Sequence, residues 1–175
     1  MNAAFSASAL ADRLARFPDA LEACVRMVAP ADIQWKPAPE HWSILEICCH
    51  LLDEEREDFR ARAQITLRDP AAAWPRLDLT GVAQLRGYAS RDLAATLAEF
   101  RRERAASMEW LASAVPTMDW STARIHPERG PLAAGMLLAS WAAHDALHIR
   151  QIAKRLHGLA ARDAGEYSIV YAGEW

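Results

Sequence analysis

The chain has 175 residues, 52% apolar and 25% charged, with a formal net charge of −3 and a pI near 6.1. That length fits one compact domain, here residues 1–175, burying roughly 70% of its unfolded surface without disulfide staples. The acidic balance speaks against broad nucleic-acid binding while leaving room for a local basic patch, and no run reaches the roughly 18 apolar residues of a membrane span.

Helical periodicity dominates, which predicts an all-α four-helix bundle with a long crossover loop and an aromatic C-terminal tail. A first helix is expected within residues 6–29, with Leu21, Val25 and Met27 on its apolar side. Pro18 lies inside it and marks a kink or a second start. Residues 30–42 form a proline-rich loop carrying Trp35 and Trp42.

Ser43 with Glu46 makes a capping box, and Trp42 with Ile47 a hydrophobic staple, so a second helix should run from Ser43 to about Leu67. Residues 70–89, with Pro70, Pro75 and Gly81, read as the long connection. A third helix is expected from Ser90 to near Ala114, with Leu93, Leu97, Phe100, Met108 and Leu111 as its stripe. After a loop over 115–130, Gly130-Pro131 predicts the opening of a fourth helix that ends near Gly158. Leu137, Trp141, His144, His148 and Ile152 share its inner face. Tyr167, Tyr171 and Trp175 suggest a tail that packs back onto the bundle.

Cys24, Cys48 and Cys49 are odd in number and form no C-x-x-C, so neither a disulfide framework nor a zinc ribbon is expected. Reduced thiols and the lack of a signal-peptide pattern in MNAAFSASALADRLARF predict a cytoplasmic protein. Cys48 reads as a small core residue, and neither Cys48 nor Cys49 shares the face of His50.

His144 and His148 are four apart, so two imidazoles on one helical face can reach one ion. The residues between them include no glutamate of the H-E-x-x-H kind. A bare H-x-x-x-H pair is as readily two core histidines. His50, in EICCHLLDEE, shifts that balance, because a bundle can bring it opposite the pair. Three neutral imidazoles leave coordination positions open, as in reactive rather than structural sites. Zinc, nickel, iron, manganese and cobalt all suit such a set. Asp53 and Glu54 follow His50 by three and four residues, placed to orient a ligand or accept a proton, though a solvated acidic turn beside Arg56 explains them as well. Asp145 points about 100° away from His144 and is expected at the surface. His41, His126 and His157 lack partner spacing. Trp35, Trp42 and Trp141 line either a pocket over the metal or the core.

WKPAPEHWSILEICCHLLDEE and HDALHIRQI, in this order and separation, resemble the tryptophan–proline loop, W-S-x-x-E, H-L-x-D-x-E and paired-histidine segments of the DinB/YfiT-like superfamily. The resemblance covers roughly residues 18–158. It implies a four-helix bundle, often a homodimer, with a divalent metal ion on His50, His144 and His148, and it favours Asp53 as the acidic position beside the site. It also implies a small-molecule substrate and a choice among three functions. These are a thiol-dependent S-transferase using a low-molecular-weight thiol, a metal-dependent hydrolase, and a non-catalytic stress-related metal-binding bundle. The first is slightly preferred, because no base for hydrolysis stands between the paired histidines. DNA binding, suggested only by the family's name, is disfavoured by the charge balance and by the absence of a basic stripe or helix-turn-helix.

Overall fold

The computed structural model describes residues 4–76 and 80–173. Helix α1 (Ala7–Val25) opens on Ser6, whose Oγ accepts the Ala9 N–H at 3.3 Å. Met27 lies beyond its end and is exposed, so Leu21 and Val25 alone of the expected set face the core. Helix α2 (Ile44–Glu57) begins with the predicted capping box: Glu46 N–H donates to Ser43 Oγ at 3.2 Å and Ser43 N–H to Glu46 Oε2 at 2.8 Å. Trp42 and Ile47 join one apolar cluster, as the staple requires.

The second arm is not one helix. Asp58, at φ −113° and ψ −95°, separates α2 from α3 (Phe59–Arg68). Neither glycine nor proline marks the break; aspartate is a weak helix former whose carboxylate competes with the backbone. In the connection that follows, a single helical turn, α4 (Val82–Leu85), packs Val82 and Ala83 with Tyr88 against Leu45 and Cys49. Helix α5 (Leu93–Ala114) starts at Asp92, whose carboxylate accepts the Ala95 N–H at 2.7 Å, rather than at Ser90.

The expected proline start of the last helix is corrected too. Gly130–Ala133 is a strand, β2, paired antiparallel with β1 (Ala123–His126) in the register Ala123↔Ala133 to His126↔Gly130. Gly130 has φ +70°, which lets the three-residue turn close. Pro131 is tolerated because a two-stranded ribbon has only edge strands. Helix α6 (Ala134–Asp163) begins after the ribbon and runs five residues past Gly158. Its first N–H groups are taken by loop carbonyls, Ala134 by Thr122 and Gly135 by Trp120, both at 2.9 Å. Gly158 admits the ring of Trp35, which a Cβ there would meet at 2.9 Å.

These elements form a four-helix bundle of α1, the α2–α3 arm, α5 and α6. The tail does not pack back as expected: Tyr167, Val170 and Tyr171 are exposed, and Trp175 lies outside the described residues. Among the described residues no helix is long and apolar enough to cross a membrane.

Two apolar clusters fill the bundle, one around Leu21, Ile47, Leu51 and Ile152, the other around Leu14, Leu111, Leu138 and Trp141. Arg104 of α5 lies among rings of both, 5.4 and 5.0 Å from the Phe17 and Phe100 centroids and 5.5 Å from Trp141. It is 2% exposed, and its guanidinium bonds to every other arm. Nε and Nη2 donate to Glu55 of α2 at 2.9 Å each, and Nη1 and Nη2 to Asp145 of α6 at 2.7 and 3.0 Å. Nη1 also donates to Leu14 O of α1 at 2.8 Å. That carbonyl is free because Pro18, four residues on, has no N–H to offer it. Glu55 further accepts Ser107 Oγ–H at 2.6 Å and Trp141 Nε1–H at 3.0 Å. Asp145, expected at the surface, is therefore buried. Helix α6 touches α1 and the α2–α3 arm, so more than one stripe of it is interior.

Truncating Arg104 leaves the Asp145 carboxylate and the Leu14 carbonyl buried without this donor and Glu55 buried without its counter-charge. Arg104→Leu should lose about 3–5 kcal/mol in urea unfolding, whereas Arg101→Ala, which removes exposed pairs to Asp19 and Glu22, should leave the midpoint nearly unchanged.

Candidate metal centre

His50 comes from the middle of α2, and His144 and His148 from successive turns of α6. One ring nitrogen from each lies within 4.8 Å of the others. The ring centroids are 5.5 Å apart for His50–His144, 4.8 Å for His50–His148 and 4.4 Å for His144–His148. The three rings sit under aromatic cover: Trp42 is 4.7 Å from His50, and Phe59, stacked on Trp141 at 6.2 Å, is 5.1 Å from His144. Trp42 is held there by its own carbonyl, which accepts Arg155 Nε–H at 2.7 Å. Trp141 is core, and Trp35 packs at Gly158, away from the rings.

The nitrogen chemistry fits a cation. His148 Nδ1 donates to Gln151 Oε1 at 2.8 Å, which leaves the Nε2 lone pair free. That Nε2 stands 3.1 Å from His144 Nε2, so two imidazole nitrogens converge on one point. Burial pushes His50 down to about 3, with further contributions from His148 and His144. His144 is pushed to about 3 by burial, then by His148 and Arg104. His148 is lowered by burial, against the pull of Gln151. All three rings are thus neutral donors at neutral pH, as metal ligation demands.

On the far side of His50, its buried Nδ1 and Glu54 Oε1 face each other at 4.0 Å, too far for a hydrogen bond, and neither has another partner. Burial, followed by hydrogen bonding to Asp58, raises Glu54 to about 8. Asp53 is not brought to the rings. Its carboxylate accepts Tyr88 Oη–H at 2.6 Å and pairs with Arg86 at 2.9 Å and Arg91 at 3.5 Å, pinning the 80–92 connection onto α2. Among the described residues, no carboxylate joins the three-nitrogen group. Cys48 and Cys49 are buried, and burial raises the Cys48 thiol to about 12. A groove of about 330 Å³ on α6, lined by His144, Leu147, His148, Arg150, Gln151 and Lys154, opens the site to solvent.

Gln151 was not singled out from the sequence as a site residue; its place three residues after His148, on the same face, was the available signal. Arg155 and Phe59 carried no such signal, because their contacts cross between elements.

The family model of the DinB superfamily matches residues 13–152. Among solved structures, the chain is similar to YfiT from Bacillus subtilis, described as a probable metal-dependent hydrolase with an unusual four-helix bundle topology. The TM-score is 0.76 at 16% identity, over 94% of this chain and 91% of that one. Comparison with curated proteins finds no match.

In the metal-free protein at pH 5, His50 and His144 should be neutral in long-range ¹H–¹⁵N spectra; imidazolium signals would show that burial does not control these rings. Their folded values lie below the unfolded 6.5. The unfolded chain therefore binds more protons, and the stability of the metal-free fold should fall as pH drops from 6.5 toward 3.

Proposed function

The chain belongs to the DinB superfamily, and we propose that it is an enzyme dependent on a divalent metal ion held by His50, His144 and His148. The observation that carries this reading is the convergence of three neutral imidazoles, two buried and His144 half-buried, on one point beside a solvent-open groove. A bound ion would supply a Lewis acid that lowers the pKa of a small nucleophile. Gln151 fixes the tautomer of His148, and a glutamine or carboxylate in that outer position is worth 10–100-fold in metal affinity. Trp42 packs on His50 and Phe59 on His144, giving the rings apolar neighbours that do not line the groove.

Two reactions suit this site. Hydrolysis is the chemistry named for YfiT, but it asks for a base beside the water, and Asp53 is already engaged by Tyr88, Arg86 and Arg91. Transfer of a low-molecular-weight thiol asks for none, because coordination ionises the thiol outright. The carboxylate-free face of the cluster favours thiol transfer as the first reading, with hydrolysis second.

Mass spectrometry of tag-free protein should find close to one metal per chain, lost in His50→Ala, His144→Ala and His148→Ala while the helical signal in circular dichroism persists. Gln151→Leu should bind the same ion roughly 10–100-fold more weakly. Loaded protein should then consume a thiol with an activated electrophile faster than it cleaves esters or amides. Hydrolysis without thiol consumption would select the second reading. Absence of metal after incubation with zinc, nickel, manganese and iron would remove both.

A further inference from the structure

A second cleft, of about 500 Å³, lies on the side of α3 that meets the β1–β2 ribbon and is larger than the groove over the histidines. Arg62 of α3 lines it, and the cleft shares no lining residue with that groove. It is thus a separate place from the metal centre. Arg76 and Arg124 line it too, with Trp74, His126 and Glu128. Three arginines against one glutamate reverse, locally, the sign of a chain whose net charge is −3.

The cleft is built, not merely charged. Trp74 Nε1 donates to Oγ1 of Thr66 at 3.1 Å, and Thr66 is fully buried in α3. The indole so fixed carries two guanidiniums, Arg62 at 5.2 Å and Arg124 at 5.5 Å from its centroid. His126 lies 6.1 Å from the same ring. Its Nδ1 accepts the Glu128 N–H at 3.1 Å, which puts its own proton on Nε2 as another donor. Arg62 is balanced from behind by Asp58 at 2.8 Å. Among the described residues Arg124 has a long bond to Pro70 O, at 3.4 Å, and neither it nor Arg76 pairs with a carboxylate. Of the two guanidiniums held near one indole, Arg124 has no carboxylate partner among the described residues and is poised for an anion, and planar guanidiniums match phosphate oxygens in pairs. A carboxylate needs only one such partner, whereas a phosphoryl dianion uses several. The patch is too small for the extended basic footprint of nucleic-acid binding.

We propose that this cleft binds the phosphoryl group of a small molecule through Arg124, Arg76 and Arg62, with His126 as a further donor. The site stands independently of the metal-dependent reading.

Isothermal titration of the full chain with inorganic pyrophosphate, with chelator present and at constant ionic strength, should give saturable 1:1 binding. Arg124→Gln and Arg76→Gln should each weaken it at least tenfold. Arg26→Gln, at the exposed residue that follows α1 and does not line the cleft, should not change it. The Trp74 indole cross-peak, assigned by Trp74→Phe, should move with the same saturation. Absence of saturable binding would overturn the proposal. So would equal weakening by Arg26→Gln. Loss of binding in His144→Ala with retention in Arg124→Gln would also overturn it, by placing the anion at the histidines.

Discussion

One guanidinium ties this bundle together. Arg104 spends all its donors on α1, α2 and α6, so each arm of the fold is bonded to the same group. A charge among phenylalanine and tryptophan rings is costly to desolvate, and only full pairing with correct geometry offsets that cost. The pairing is full here because the surroundings supply what is missing: Pro18 frees a carbonyl, Glu55 and Asp145 bring carboxylates, and Ser107 and Trp141 complete Glu55. A sliding or rotation of any one arm would break several of these bonds at once. The network therefore specifies one packing of the helices, beyond what interchangeable apolar stripes would select.

That constraint reaches the histidines through the chain itself. Asp145 follows His144, so fixing its carboxylate on Arg104 fixes the rotation of α6 about its axis. With α6 so set, His144 and His148 can turn only toward α2. Glu55 performs the same service on α2, five residues from His50. The convergence of three ring nitrogens within 4.8 Å thus depends on a charged node that includes none of them. Burial of the rings keeps them neutral, and that neutrality is the property a metal ligand requires.

The two clefts divide the surface by chemistry. The groove on α6 exposes imidazole and is framed by Arg150 and Lys154, while the cleft beside the ribbon offers guanidinium on an indole support. The ribbon and the break at Asp58 make the second one possible. Asp58 frees α3 from the line of α2, and the ribbon carries Arg124 and His126 to the indole that α3 holds.

The sequence by itself determined the helical class, the capping box at Ser43, the core stripe of the last helix and the pairing of His144 with His148, because each depends on residues within a turn or two of one another. Periodicity put His144 and His148 on one inner face, and proximity along the chain needs no tertiary information. The tertiary structure alone decided what depends on contacts between arms. It buried Asp145, which the 100° offset from His144 had assigned to solvent, because α6 has neighbours on more than one side. It committed Asp53 to Tyr88 and two arginines, turned Gly130-Pro131 into a strand by pairing it with residues 123–126, and left Tyr167 and Tyr171 exposed. A long-range ion pair and a four-residue strand leave no period in the sequence, so only the assembled bundle reveals them.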